Sequence, residues 1–157
     1  MNYWRLVTHH EHPQLALDEY RHRSIIALGW GAIGHLAAMQ ANGPNPIRRA
    51  LLNIPDYVSP RRARSAAECL WDFYHEMQQG DLVVLSLGES GGIQHDVVEV
   101  IGGYEWVPTP VFPGPNLLEN DYHHVRRVRW RSDLDGVRVW ASRSHSGDIY
   151  KALIRLA

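Results

Sequence analysis

An indole flanked by two glycines is the most distinctive chemical feature of the sequence. Trp30 lies between Gly29 and Gly31, directly after the apolar run Ser24–Leu28, whose composition predicts a buried strand. With no side chain on either neighbour, this indole is poorly placed for a core and well placed to offer a flat face to a ligand. A nucleobase stacked on an aromatic face contributes about 1–3 kcal/mol, and a positively polarised methylated base adds a cation–π attraction. The alternative is a tryptophan that only caps one end of the fold.

The same segment also fits a dinucleotide-binding turn. Gly29–Gly34 matches the pattern G-x-G-x-x-G after a predicted strand and before a predicted helix. The helix that follows, His35–Ala41, would be only about two turns long, and Asp56 lies in a proline-bounded loop instead of at a strand end. The side chain of Trp30 would also obstruct the close approach of a pyrophosphate. We therefore favour the stacking interpretation.

Further aromatic and polar residues are candidates for a pocket around this indole. Tyr104 and Trp106 are two residues apart on one predicted strand and therefore point the same way. They form either a second wall of the pocket or an aromatic pair that faces the core. Phe112, in a proline-rich loop, is a candidate lid. Ser86 or Asp81 could hydrogen-bond the edge of a base.

Arginine supplies all but one of the 16 basic residues. Its planar fork suits phosphate and base-edge contacts, although a G+C-rich genome would give the same bias. Alternate residues of a strand lie about 6.6 Å apart on one face, a spacing that suits successive phosphates. The candidate backbone contacts are Arg126, Arg127, Arg129 and Arg131 on and after the last long predicted strand, and Arg61, Arg62 and Arg64 on a preceding loop. The alternative is a solvated face paired with acidic residues.

The charges are segregated along the chain. No Lys or Arg occurs between Ser65 and Val125, where ten acidic residues lie, while the remainder holds all 16 basic residues against seven acidic ones. A formal net charge of −1 therefore conceals a chain that could offer one positive surface to a polyanion. If the segments interleave in space, the field cancels instead.

The histidines and the cysteine do not form a metal or nucleophile motif. His9-His10-Glu11-His12 and His123-His124 are the only clusters among ten histidines, and two ligands do not make a site. A single cysteine, Cys69, excludes a zinc site built on several thiolates. No serine or cysteine lies in a recognisable triad or elbow pattern. We expect no metal, no cofactor and no catalysis by this chain.

Hydrophobic periodicity predicts strands alternating irregularly with short helices. A capping box predicts that one helix starts at Ser65, after a loop over Pro55–Arg64. The other predicted helices are Pro13–Arg21, His35–Ala41, Ile47–Asn53 and Ile149–Leu156, and the predicted strands are Tyr3–Thr8, Ser24–Leu28, Leu82–Leu87, Val97–Ile101, Tyr104–Val107, Tyr122–Trp130 and Val137–Ala141. This order predicts an α+β fold, a small curved β-barrel of about five to seven strands with flanking helices.

Length and hydropathy bound the class of protein. A chain of 157 residues is expected to form a single domain over 1–157. No run approaches the roughly 18 apolar residues that a membrane helix needs, and the N-terminus has no signal-peptide pattern. We expect a soluble, cytoplasmic protein without a membrane partner.

Four segments together resemble one known family. Ala27–Leu36 is similar to the glycine–tryptophan–glycine, isoleucine–glycine–aspartate–leucine signature of EVE domains, which belong to the PUA-like superfamily with YTH and ASCH domains. Phe73–Val84, Glu99–Trp106 and Tyr122–Trp130 resemble the family's next three segments, in the same order. His35 departs from the aspartate that is usual at its position.

The resemblance implies a reader of modified bases. EVE-like domains serve as specificity modules of modification-dependent restriction systems and take a flipped base into an aromatic cage. For this chain it implies a PUA-like fold, double-stranded DNA containing a modified base as partner, and a nuclease or motor carried by another domain or subunit. Trp30, Gly29, Gly31, Tyr104, Trp106 and Ser86 would line the pocket. The alternatives are a YTH- or ASCH-like reader of modified RNA and a small nucleoside-modifying hydrolase.

Overall fold

The computed structural model describes residues 1–88, 93–112, 121–145 and 150–157. Within these ranges, six strands and four α-helices make up an α+β fold. The strands are β1 (Tyr3–Val7), β2 (Ile25–Leu28), β3 (Leu82–Leu87), β4 (Ile93–Trp106), β5 (His124–Trp130) and β6 (Leu153–Leu156). The helices are α1 (Pro13–Arg23), α2 (Pro44–Leu52), α3 (Pro60–Trp71) and α4 (Gly136–Ala141). None of the described helices is long and apolar enough to cross a membrane.

The strands form one mixed sheet in the order β2-β5-β4-β3-β1-β6. Strand β1 is parallel to β3 and antiparallel to β6, and β3 is antiparallel to β4. The two edge strands, β2 and β6, do not pair with each other in the described part of the chain, so the sheet is open. The predicted closed barrel is therefore wrong, whereas the predicted α+β class is confirmed.

The chain divides into two compact units. The first unit comprises Met1–Ile26, Met77–Gly103 and Arg126–Ala157. Its apolar centre includes Leu82 and Val84 of β3, Val97 of β4, and Ile154 and Leu156 of β6. Burial of each such side chain contributes about 1.5–3 kcal/mol. Partly buried side chains pack against this centre: Tyr3, Leu134, Val139 and Trp140.

The second unit comprises Ala27–Glu76 and Tyr104–Val125. Helix α2 packs against α3, burying Ile47 and Leu51 of α2 and several residues of α3: Ala63, Ala66, Ala67, Cys69 and Leu70. Small residues dominate the buried face of α3, and they allow close approach of the two helices. One π-helical turn, Asp72–Glu76, follows α3 directly.

Two predicted elements near the C-terminus are wrong. Residues 136–141 form helix α4 instead of the predicted strand Val137–Ala141, because the Asp135 side chain caps the helix by accepting a hydrogen bond from the Val137 amide at 2.9 Å. The predicted helix Ile149–Leu156 is instead strand β6, which gains its conformation from pairing with β1. Residues 146–149, where that predicted helix would have begun, lie outside the described part of the chain.

The boundaries of two other predicted helices also differ. Helix α3 begins at Pro60 and not at Ser65, because the Ser59 side chain accepts a hydrogen bond from the Arg62 amide. The predicted loop Pro55–Arg64 is therefore partly helical. No α-helix forms over His35–Ala41, where the chain makes turns after a short 3₁₀ segment, Gly31–Ile33. The predicted loop 108–121 lies partly outside the described residues.

The carboxylate of Asp81 links the start of the chain to the turn before β3. It accepts hydrogen bonds from the Asn2 amide at 2.9 Å, the Trp4 indole Nε1 at 2.9 Å and the Gln78 amide at 3.0 Å. Asp81 is buried. These three donors occupy both carboxylate oxygens, so the structure gives Asp81 a role in the fold and does not favour the predicted contact with a base edge.

We expect Asp81→Asn to lower the free energy of unfolding by about 3 kcal/mol, because an amide nitrogen would replace an oxygen that faces buried donors. Urea denaturation at pH 7 measures the free energy of unfolding of the parent and the variant. Asp18→Asn, at an exposed position of α1, is the matched control and should change stability little. A loss below about 0.5 kcal/mol for Asp81→Asn would contradict this role.

Candidate functional site

Trp30 adopts a backbone conformation that L-residues seldom adopt. Its φ is 60° and its ψ is 33°, in the left-handed region, which costs an L-residue about 1–2 kcal/mol. The residue lies between the end of β2 and the 3₁₀ segment Gly31–Ile33, and its side chain is half-buried. A conformation of this cost persists only where surrounding contacts hold it.

Asp121 holds the chain immediately after Trp30. Its carbonyl oxygen accepts a hydrogen bond from the Gly31 amide at 2.9 Å, and its Oδ1 accepts one from the Ala32 amide at 2.9 Å. The hydroxyl of Tyr57 donates a short hydrogen bond to Oδ2 and lies 3.3 Å from the Ala32 nitrogen. One buried residue of the second unit thus fixes two consecutive amides of the turn, the first through its carbonyl and the second through its carboxylate.

Burial sets the protonation behaviour of this pair. It raises the pKa of Asp121, although the hydrogen bonds from Tyr57 and from the Ala32 amide act in the opposite direction. Burial also raises the pKa of Tyr57 well above its ordinary value, and the adjacent Asp121 carboxylate raises it further. The Tyr57 phenol therefore stays protonated and remains a hydrogen-bond donor at neutral pH.

His124 holds the carbonyl of Trp30 itself. Its Nε2 lies 3.2 Å from the Trp30 carbonyl oxygen, and its Nδ1 lies 2.7 Å from the Tyr104 hydroxyl. Because a carbonyl only accepts, we assign the proton to Nε2, and Nδ1 then accepts from Tyr104. The Tyr104 hydroxyl in turn accepts from the Leu36 amide at 3.1 Å. Each donor in this series of hydrogen bonds therefore has an acceptor.

The imidazole of His124 is neutral at physiological pH. Burial is the main cause that lowers its pKa to about 4; the neighbouring His123 and His35 act in the same direction, and the bond to the Trp30 carbonyl acts against them. The neutral ring is the form that can accept from Tyr104 and donate to Trp30 at the same time. Protonation would remove the acceptor.

Trp106 supports the turn and is not free to stack on a ligand with both faces. Its Nε1 donates to the Gly31 carbonyl at 3.2 Å, and its ring is stacked on His123 with 5.1 Å between centroids. The His123 Nδ1 lies 2.7 Å from the Val107 carbonyl oxygen. Tyr104 has edge contacts with three further rings: His35, Phe73 and Tyr74.

The ring of Trp30 differs from these aromatic neighbours. Within the described part of the chain, no ring stacks on its indole and no acceptor binds its Nε1. The peptide group that follows Trp30 is fixed by Asp121 and His124, as described above. The structure therefore holds one tryptophan firmly by its main chain while leaving its side chain half-exposed and unstacked.

The two flanking glycines have different surroundings. A Cβ on Gly31 would lie 2.4 Å from His123 Cδ2 and 2.7 Å from the Asp121 carbonyl oxygen, so only glycine fits there. A Cβ on Gly29 would lie 3.5 Å from the ring of Tyr122, which is an ordinary contact. Close packing therefore explains Gly31, and the space around Gly29 does not require glycine.

The structure brings most of the predicted pocket residues together. Hydrogen bonds connect the turn around Trp30 and Gly31 to Trp106, and through His124 to Tyr104, all within the second unit. Ser86 belongs to the first unit, where it is fully buried on β3 and its Oγ has no partner among the described residues. Phe112 makes an edge contact with Tyr122, 5.0 Å between centroids.

The predicted strand arginines differ in their surroundings. Arg126 is buried, and its guanidinium donates to the carbonyl oxygens of Gly102 at 3.2 Å and Met77 at 2.6 Å. This placement argues against a phosphate contact for Arg126. Arg129 and Arg131 each form an ion pair with Glu99 at 3.0 Å, the arrangement that the alternative of a paired outer face predicts. Arg127 is exposed on the same strand.

The predicted arginines of the preceding loop lie at the start of α3. Arg61, Arg62 and Arg64 are exposed. Arg64 lies 3.3 Å from Glu68, whereas Arg61 and Arg62 form no ion pair with any residue that the structure describes. They belong to the second unit, as Trp30 does.

Sequence reasoning missed the residues that hold the turn. Tyr57, Asp121 and His124 are 25 to 94 residues from the groups of the Trp30 turn that they bind. The sequence shows the cluster His123-His124, but spacing alone raises only a metal site, which two ligands do not make. The described residues contain no group of three or more His, Cys, Asp or Glu side chains that could hold a metal ion.

We expect His124→Gln to change the pH dependence of stability. The pKa of His124 is about 4 in the folded protein and about 6.5 in the unfolded chain. Above pH 6.5 the imidazole is neutral in both states, and its contribution to stability is complete. As the pH falls toward 4, the unfolded chain takes up the proton first, so this contribution is lost. Between pH 7 and pH 5 the loss is roughly 2 kcal/mol, which urea denaturation should show for the parent and not for His124→Gln. Exposed His22 supplies the control His22→Gln, and equal pH slopes for parent and His124→Gln would contradict the assignment.

We also expect Gly31→Ala to destabilise the protein by about 1–3 kcal/mol, because the added methyl group overlaps His123 and Asp121. Gly29→Ala is the matched control, and its stability should stay close to that of the parent. Thermal unfolding of the two variants gives the comparison. Similar losses for both would contradict the packing described for Gly31.

Comparison with protein families gives one match that spans most of the chain. Residues 4–147 match the family model described as "Domain of unknown function (DUF8426)". No curated protein matches the chain significantly. Since the family model covers far more than half of the sequence, the chain belongs to the DUF8426 family of domains of unknown function.

Proposed function

We propose that this chain binds DNA and takes a flipped, modified nucleobase onto the indole of Trp30. The observation that supports this proposal is the unusual state of Trp30: its backbone is strained and firmly held, while its ring is half-exposed and unstacked within the described residues. A residue that served only the core would not need this conformation. Strained backbone of this kind clusters at binding and catalytic sites.

The chemistry of the indole favours a flat, π-bonded ligand. Tryptophan is the aromatic side chain that attracts cations most strongly, so a base that carries a positive charge would gain a cation–π attraction, whereas neutral bases such as 5-methylcytosine and 6-methyladenine gain the stacking alone. Stacking of one base contributes about 1–3 kcal/mol. Because the main chain after Trp30 is fixed by Asp121 and His124, the turn that carries the indole needs little ordering on binding.

Stacking alone does not supply enough energy to open a duplex. Extruding one base costs a few kcal/mol, which is comparable to the whole contribution of the indole. Contacts to the phosphate backbone must therefore supply the remaining affinity, independently of sequence. The proposed reader thus needs a basic surface in addition to Trp30.

The resemblance to EVE domains supports the same function. It suggests a PUA-like domain that serves as the specificity module of a modification-dependent restriction system, with the nuclease or motor activity on another domain or subunit. The match to a family of unknown function bears on neither point. A YTH- or ASCH-like reader of modified RNA uses the same stacking chemistry and is separated from the DNA reader by the test below.

We expect Trp30→Ala to abolish the preference for a modified base, lowering affinity for the preferred duplex by roughly 5- to 100-fold. Competition binding uses short duplexes that differ in one base: unmodified cytosine, 5-methylcytosine, 5-hydroxymethylcytosine or 6-methyladenine. Trp30→Phe should retain part of the preference, since it retains an aromatic face. RNA oligonucleotides of the same sequence form the second arm.

The control is Trp71→Ala. Trp71 is also half-buried in the second unit, but its ring is already stacked on His75 with 4.2 Å between centroids. This variant should keep the preference. Thermal unfolding shows whether the parent and Trp30→Ala are both folded. If they are, equal discrimination between modified and unmodified duplexes by the two proteins would refute the assignment. Preference confined to the RNA arm would replace DNA with RNA as the ligand.

A further inference from the structure

Four exposed arginines lie close to the connection between α2 and α3. Arg48 and Arg49 are in the second half of α2, and Arg61 and Arg62 are in the first turn of α3. Only residues 53–59 separate the two helices, and the helices pack against each other. We call these four residues the junction arginines. None of them forms an ion pair with a residue that lies within the described ranges.

The segment that carries the junction arginines is strongly basic. From Pro44 to Arg64 it contains five arginines and one acidic residue, Asp56. Arg64 is paired with Glu68, which leaves the junction arginines as its unneutralised charges. On and just after β5, by contrast, Arg129 and Arg131 form ion pairs with Glu99 and Asp133. Charge alone therefore favours the junction over the strand as a surface for a polyanion.

The stability of α3 does not explain Arg61 and Arg62, whereas Arg49 lies in the last turn of α2, where a cation suits the helix dipole. The N-terminal turn of a helix favours acidic side chains, because the macrodipole places partial positive charge there. Helix α3 has no acidic residue in its first turn and carries Arg61 and Arg62 instead. Arginines at this position oppose the dipole, and a bound anion would relieve the repulsion.

The connection between the helices is attached directly to the turn that carries Trp30. Tyr57 lies within this connection, and its hydroxyl binds Asp121 and lies 3.3 Å from the Ala32 nitrogen. Asp121 in turn fixes the Gly31 and Ala32 amides. The segment that connects the two arginine-bearing helices is therefore hydrogen-bonded, through Tyr57 and Asp121, to the turn of the unstacked indole.

We infer that the junction arginines bind the phosphates that flank the base stacked on Trp30. This inference rests on the proposed function, and it adds Arg48 and Arg49 to the backbone contacts that the sequence predicts. Four guanidinium groups would neutralise about four phosphates, and each phosphate contributes about −0.9 to the dependence of log affinity on log salt. The partner is thus a nucleic-acid backbone, recognised without regard to sequence.

Two double variants test the inference: Arg48→Ala with Arg49→Ala, and Arg61→Ala with Arg62→Ala. Each should weaken modified and unmodified duplexes equally, by roughly tenfold at 100 mM salt, and should reduce the salt slope by about 2. The control, Arg23→Ala with Arg138→Ala, removes the same charge from the first unit and should leave the slope unchanged. Equal effects of all three variants would overturn the inference, since net charge alone would then explain them.

A second ligand separates this inference from the proposed function. Long-chain inorganic polyphosphate has the charges of a backbone and no bases. Both junction variants should weaken polyphosphate binding, and Trp30→Ala should leave it unchanged. If the junction variants lose affinity for duplexes and polyphosphate while Trp30→Ala discriminates like the parent, the base-reading function fails and the phosphate surface stands. If Trp30→Ala loses the preference and the junction variants bind like the parent, the phosphate surface is wrong and the base-reading function stands.

Discussion

The buried carboxylate of Asp121 is the interaction on which the conformation of Trp30 depends. One side chain accepts from the Ala32 amide and the Tyr57 hydroxyl, and the carbonyl of the same residue accepts from Gly31. A carboxylate taken out of water is costly unless its oxygens receive hydrogen bonds. One donor to the carboxylate is the Ala32 amide, and the carbonyl of Asp121 binds the Gly31 amide. The hydrogen bonds that stabilise the buried residue therefore also fix the turn after Trp30.

His124 completes this arrangement at the carbonyl of the Trp30–Gly31 peptide group, whose N–H binds Asp121. Its remaining nitrogen accepts from Tyr104. Only the neutral imidazole can do both, and burial keeps it neutral at physiological pH. The peptide group that follows the Cα of Trp30 is therefore held at both its carbonyl and its N–H by polar groups that are themselves satisfied. Such support from neighbouring residues is what a precise binding site requires.

The ion pairing of the arginines differs between the two units. In the first unit, acidic residues from the middle of the sequence meet arginines from its ends, as in the contacts of Glu99 with Arg129 and of Asp96 with Arg21. In the second unit, the junction arginines form no such pair with described residues. Ion pairs thus offset segregated charges in the first unit. In the second unit, the junction arginines leave a basic surface that is not paired with described residues.

Local signals determined part of this structure from the sequence alone. Residues Tyr3–Val7 and Leu82–Leu87 are strands as predicted. These strands depend on apolar runs of neighbouring residues. The need for glycine at position 31, by contrast, comes from His123 and Asp121, which are distant in sequence. The prediction of Trp30, Gly31, Tyr104 and Trp106 as one group also came from local patterns.

Tertiary structure decided the rest, because the deciding contacts are distant in sequence. The short run Val137–Ala141 alternates like a strand, yet a cap from Asp135 and the approach of Gly136 to His95 make it helical. Strand β6 exists because β1 pairs with it. Asp121 and Tyr57 reach the Trp30 turn from 89 and 25 residues away. Composition and spacing report which side chains are present, whereas burial and hydrogen-bond partners arise only when the chain folds back on itself.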